Sequence, residues 1–226
     1  MNFVTWSEAA EYVRGKAVAV VGSAPSCRDN AVGFIDSHEI VVRVNNYQRG
    51  IGQGLRCDVH YSFYGNSVRK KAEHLRDDGV RLCWNKCPAA KPIESPWHEA
   101  NNKQNGIDFR YIYELRKDWW FCDTYVPTVE RFMETFNLLG GHIPSTGFAA
   151  ILDVLACEPA RVFITGFDGF TSGMHNVDEI WRPGDPADPI GHRPELERAW
   201  LAGNADKYPL TFDGKLKSLL RKRVSD

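Results

Sequence analysis

The chain has 226 residues, 43% of them hydrophobic and 25% charged, with a formal net charge of -1. That length can bury one real core, and the near-neutral balance gives no sign of nucleic-acid binding, which usually shows as a strongly basic face. No apolar run reaches the roughly 18 residues of a membrane span, and the first residues lack the charged and apolar regions of a secretory signal, so a cytoplasmic protein is expected.

Taken in chain order, residues 6–14 read as a short helix, with Ser7 as N-cap and Glu8 and Glu11 suited to its first turn. Val18–Gly22 is a continuous apolar run ending in glycine, the pattern of a strand covered on both faces. His38–Asn45 is a second strand, and Asp58–Tyr64 and Val80–Trp84 are a third and fourth, with a polar helix around 66–76 between them. Phe109–Tyr113 reads as a fifth strand. Residues 127–138 carry apolar side chains at helical spacing, with Pro127 at the first helical position. An apolar helix over 146–156 leads to a central strand, Arg161–Thr165, and two further helices are expected over 194–202 and 213–223. The stretches 85–107 and 171–192 are long loops of the kind that form lids or binding loops. Strands alternating with helices predict a single α/β domain spanning 1–226, a sandwich around a mostly parallel sheet. Ligands in such folds sit outside the carboxyl ends of the strands, where Gly22, Asn45 and Gly166 should line one crevice.

The candidate chemistry lies at those ends. Gly22-Ser-Ala-Pro-Ser26 lacks the dinucleotide spacing, and there is no Gly-Lys-Ser/Thr phosphate loop, which disfavours an NAD-dependent oxidoreductase. Ser23 and Ser26 can still donate to a phosphate, although an ordinary strand-to-helix turn explains the same residues. Asn45 closes the second strand and offers both a donor and an acceptor; a polar turn is the alternative. Ser145-Thr146-Gly147 opens the apolar helix and brings backbone N–H groups toward the sheet edge, a seat for phosphate. His175 and His192 lie in the predicted loops, and imidazole suits both base and phosphate-donor roles, while a solvated surface histidine is the plainer reading. Six scattered cysteines are expected to be free thiols, and Cys83 and Cys87 have no second pair to complete a zinc site. Trp119, Trp120 and Tyr125 could line an acceptor cleft or anchor the core. The basic tail Lys215–Val224, with Leu216, Leu219 and Leu220 on one face, could lie on an anionic membrane or pack as a terminal helix.

Together these pieces resemble the animal-type sialyltransferases. Val18-Ala-Val-Val-Gly-Ser-Ala-Pro-Ser through Ile35-Asp-Ser-His-Glu to Arg43-Val-Asn45 resembles the long sialyl motif. Pro144-Ser-Thr-Gly-Phe through Thr165-Gly-Phe-Asp resembles the short one. His175 falls at the third motif, and His192 followed by Glu197 matches the very short motif. The resemblance covers roughly residues 16–60 and 140–200, and suggests a bacterial or viral relative. It implies a GT-A-like fold, a CMP-activated ulosonic acid (sialic acid or Kdo) as donor, a glycan or glycolipid acceptor, and no metal or other cofactor. It implies His192 as general base, His175 as a holder of the donor phosphate, and Gly22, Ser23, Ser26, Asn45, Ser145, Thr146, Gly147 and Gly166 as the nucleotide site. Two departures stand out. Val18 occupies the place of the long-motif cysteine that would pair near Cys157, so the bridge should be absent, and Ser23 stands where the family has asparagine. The cytoplasmic reading leaves peripheral contact at the inner membrane through the tail as an option. The competing readings are a Kdo transferase of lipopolysaccharide or capsule synthesis and a catalytically inactive CMP-binding module.

Overall fold

The computed structural model describes residues 2–64, 70–88, 121–169, 174–176, 179–180 and 192–221. Eight strands form one sheet: β1 (Asn2–Val4), β2 (Ala17–Val21), β3 (Ile40–Val44), β4 (Val59–Ser62), β5 (Leu82–Asn85), β6 (Asp123–Tyr125), β7 (Arg161–Thr165) and β10 (Leu210–Phe212). Their order is β1-β6-β5-β4-β3-β2-β7-β10, and all seven pairings are parallel. A separate antiparallel pair joins β8 (Met174–Asn176) to β9 (Glu179–Ile180), inside the stretch expected to be a loop.

Parallel strands buried on both faces require apolar residues at odd and even positions alike, which is why β2 is an unbroken apolar run and β3 is apolar at every position but Arg43. Val18, Val20, Ile40, Val42, Val162 and Ile164 face one large core. That core is closed by α1 (Trp6–Glu11), α4 (Thr146–Ala156), α5 (Pro194–Asn204) and α6 (Gly214–Arg221). On the opposite face α2 (Ala72–Asp77) and α3 (Val129–Leu138) cover a second cluster around Tyr64, Leu75, Cys83 and Phe132. Two short 3₁₀ turns, Pro25–Asp29 and Ile35–Ser37, cover a third around Val21, Val41 and Phe163. The result is the expected α/β/α sandwich.

Helix boundaries differ from expectation for identifiable reasons. The N-cap of α1 is Thr5, not Ser7: its hydroxyl accepts from the Glu8 N–H while the Glu8 carboxylate accepts from the Thr5 N–H, a reciprocal capping box. Pro127 precedes the N-cap of α3, which is Thr128. The helix expected from residue 66 is described from Ala72. The predicted strand Phe109–Tyr113, the greater part of the 85–107 stretch, Trp119 and Trp120 lie outside the described residues.

The topology fixes where a ligand can sit. From β2 the chain walks away through β3, β4, β5 and β6, then returns to place β7 on the other side of β2. The reversal of strand order therefore falls between β2 and β7, whose carboxyl ends are Gly22 and Gly166.

Candidate active site

The two glycine turns are built against each other. The Gly22 N–H donates to the Thr165 carbonyl (2.8 Å) and the Ala24 N–H to the Gly166 carbonyl (3.0 Å). A Cβ on Gly166 would lie 2.6 Å from the Gly22 carbonyl oxygen, and one on Gly22 would collide with the Gly166 carbonyl. Gly166 also has φ +75°, so neither position tolerates a side chain. The donors of this turn have an internal acceptor. Asp213, buried just after β10, takes the Ser26 hydroxyl (3.2 Å), the Thr165 hydroxyl (2.8 Å) and the Gly166 N–H (3.0 Å) on Oδ2. Its Oδ1 accepts the Leu216 N–H (2.7 Å) at the start of α6. The seat expected for phosphate at Ser26 and Gly166 thus holds a carboxylate of the protein itself.

Asn45 follows β3 with φ 49°, a left-handed conformation that asparagine adopts more readily than other side chains. Its side-chain carbonyl accepts from the Ser62 hydroxyl (2.9 Å), which directs the amide nitrogen the other way. Its main-chain carbonyl accepts from Nε2 of buried His60 (2.9 Å), an imidazole kept neutral by burial, which lowers its pKa to about 4. The loop beyond Asn45 is organised by Arg43. Its guanidinium is fully buried and donates to the carbonyls of Gln48 (3.2 Å), Gln53 (2.7 Å) and Arg56 (2.6 Å). Burying a cation is costly, and here its bonds to three carbonyls close the loop between β3 and β4.

The entry to α4 is held from three directions. Ser145 is its N-cap and accepts the Phe148 N–H (3.1 Å). The Ser145 N–H (2.6 Å) and hydroxyl (2.8 Å) both donate to the Glu197 carboxylate, on the first turn of α5. Burial raises Glu197 to about 7, and the two Ser145 bonds and the charges of Lys86 and Arg198 oppose that rise. Lys86, the residue after β5, is buried and donates Nζ to the Pro144 carbonyl (2.6 Å). His192 bonds through Nδ1 to the Ile143 carbonyl (2.8 Å). A carbonyl only accepts, so Nδ1 carries the proton and Nε2 carries the lone pair of the neutral ring. Thr146 and Gly147 form the first turn of α4, and Gly147 is required because a Cβ there would collide with the Phe167 ring, next to Gly166.

The parallel sheet therefore places Gly22, Ser23, Asn45 and Gly166 at one edge. The α4 entry (Ser145, Thr146, Gly147) meets that edge through Phe167, and His192 is bonded to the same entry segment. Glu197, which the very short motif pairs with His192, is the partner of Ser145 from 52 residues away. His175 lies in β8, outside the main sheet, and its side chain lies outside the described part. Tyr125 is a core residue, edge-to-face with Trp6 and Trp84. Leu216 is buried and Leu220 packs on the main core, so the apolar side of α6 is used by the protein itself. All six cysteines are free thiols, and no group of three or more His, Cys, Asp or Glu among the described residues is placed to hold a metal. No helix among the described residues is long and apolar enough to cross a membrane.

No family model and no curated protein matches the sequence. Solved structures do match in fold. The sialyltransferase CstII from Campylobacter jejuni, in complex with the substrate analogue CMP-3FNeuAc, superposes with a TM-score of 0.52 at 10% identity, covering 88% of this chain and 81% of that one. A mammalian sialyltransferase bound to Gal-beta-1-3GalNAc-ortho-nitrophenol gives 0.53 at 18% identity, over 93% and 73%. An alpha-2,3-sialyltransferase from Campylobacter jejuni in apo form gives 0.53 at 12%, over 94% and 78%. At these identities the likeness establishes a shared fold, the GT-A-like architecture of sialyltransferases.

Proposed function

We propose that this protein is an inverting glycosyltransferase that moves a CMP-activated ulosonic acid, sialic acid or Kdo, to a hydroxyl of a glycan or glycolipid acceptor. The observation that carries the reading is the bond from His192 Nδ1–H to the Ile143 carbonyl, which leaves Nε2 as the basic nitrogen beside the α4 entry. The sialyl-motif resemblance and the fold shared with CMP-bound sialyltransferases support the choice of donor.

In this reading His192 Nε2 removes the proton of the acceptor hydroxyl as that oxygen attacks the anomeric carbon. The bond from that carbon to the phosphate oxygen breaks, CMP leaves with the electron pair, and the anomeric centre inverts. Gly22, Ser23, Asn45, Thr146 and Gly147 hold the nucleotide, with His175 on the departing phosphate. The N–H groups in the first turn of α4 favour the growing negative charge. Ser26 and Gly166 act through Asp213, and Ser145 through Glu197, as the frame of the site. No step calls for a metal or other cofactor.

A thermal-shift panel of CMP, CDP, UDP, GDP and NAD tests the nucleotide, followed by CMP release from CMP-sialic acid and CMP-Kdo with glycan acceptors. A shift selective for CMP and acceptor-dependent release are expected. Selective CMP binding without release from either donor would identify an inactive CMP-binding module, and a preference for NAD would overturn the reading.

A further inference from the structure

We infer that Lys86 is a positioning residue for His192: its buried ammonium grips the Pro144 carbonyl and so fixes the adjoining Ile143 carbonyl on which the imidazole is oriented. This rests on the reading of His192 as the base.

Three consecutive residues are each tied to a side chain distant in sequence. Ile143 is bonded by His192, Pro144 by Lys86 and Ser145 by Glu197. The middle tie differs in kind from the other two. Proline has no N–H, so its carbonyl is the only main-chain group by which this residue can be held, and Lys86 takes it. Lys86 comes directly off β5, an interior strand of the sheet, so the grip is referred to the sheet. His192 and Glu197, by contrast, sit on one short stretch at the start of α5.

Lys86 is only 8% exposed, and an ammonium is unfavourable in such a place without a compensating partner. A leucine or methionine would fill the same space without that penalty. Burial lowers the Lys86 pKa, and Glu197 opposes this, so the charges bracketing the segment support each other. Loss of the ammonium leaves the Pro144–Ser145 peptide plane held from one side only, by the Ser145 N–H on Glu197. The peptide plane that follows Ile143 shares the same short stretch, and its carbonyl then no longer presents one fixed acceptor to His192 Nδ1.

Lys86→Met keeps the length of the stem and removes the donor. For this variant, folded by its thermal melt, we expect a donor KM within about twofold of wild type and a kcat lower by about tenfold or more. The ¹⁵N shifts of His192 should also show the Nε2–H tautomer gaining population. A folded variant with unchanged kcat and unchanged His192 shifts would overturn the inference. Wild-type spectra that already place the proton on Nε2 would overturn it without any variant, which covers the case where Lys86→Met does not fold. If the wild type releases no CMP from either donor, the glycosyl-transfer reading fails alone, and the His192 shifts still decide whether Lys86 positions the ring.

Discussion

Replacing Glu197 by glutamine isolates the ionisation that ties α5 to the entry of α4. Burial raises this carboxyl from 4.5 to about 7. A carboxyl group whose folded value lies above its unfolded one keeps a proton in the native state that the unfolded chain has released. Stability is therefore lost as pH rises from 4.5 through about 7. At about 1.4 kcal/mol per pH step this amounts to roughly 3 kcal/mol in all, of which about 2.5 falls between about pH 5 and pH 8. Glutamine cannot titrate, and it puts an amide NH2, which only donates, where one of the two accepting oxygens stood. That second effect is a constant offset and leaves the slope untouched. Urea denaturation of both proteins at four pH values across this range gives the difference in unfolding free energy, in which titrating groups not coupled to Glu197 cancel. The difference should move in favour of the glutamine variant by about 2–3 kcal/mol from the acid to the basic end. Parallel profiles, within about 0.5 kcal/mol, would refute the claim that Glu197 is held in a protonation-favouring site.

Asp213→Ala leaves the Ser26 and Thr165 hydroxyls and the Gly166 and Leu216 N–H groups without their acceptor. It should lower unfolding free energy by about 3–5 kcal/mol in urea titrations, and a loss below about 1 kcal/mol would contradict the framing role given to this carboxylate. His175→Ala should raise the KM for the CMP-sugar more than that for the acceptor; donor parameters equal to wild type would remove His175 from the phosphate site.

The central strands were legible because burial on both faces left an unambiguous apolar run closed by glycine. β2 and β7 and the helix between Thr146 and Ala156 stand where the sequence places them. The three-residue strands β1, β6 and β10 carry too few residues for any periodicity, and all three lie at or next to a sheet edge. The cap of α1 was legible but misassigned. Thr5 and Glu8 have the three-residue spacing of a capping box, whereas Ser7 is merely a good cap type. The glycine turns at the ends of β2 and β7 were legible, and the carboxylates that brace the site were not. Asp213 reaches Ser26 across 187 positions and Glu197 reaches Ser145 across 52, and nothing local marks either acid as a partner. For the same reason nothing local marks the carbonyls that the fold brings to Arg43 and Lys86.

Steady-state CMP release by His192→Ala, measured beside the wild type with the donor each accepts best, tests the central claim most directly. General-base assistance is worth about 10²–10⁴-fold, so the variant should keep its CMP-induced thermal shift and lose at least about a hundredfold in turnover. Turnover close to wild type in the folded variant would show that the imidazole bonded to Ile143 is not the group that accepts the proton.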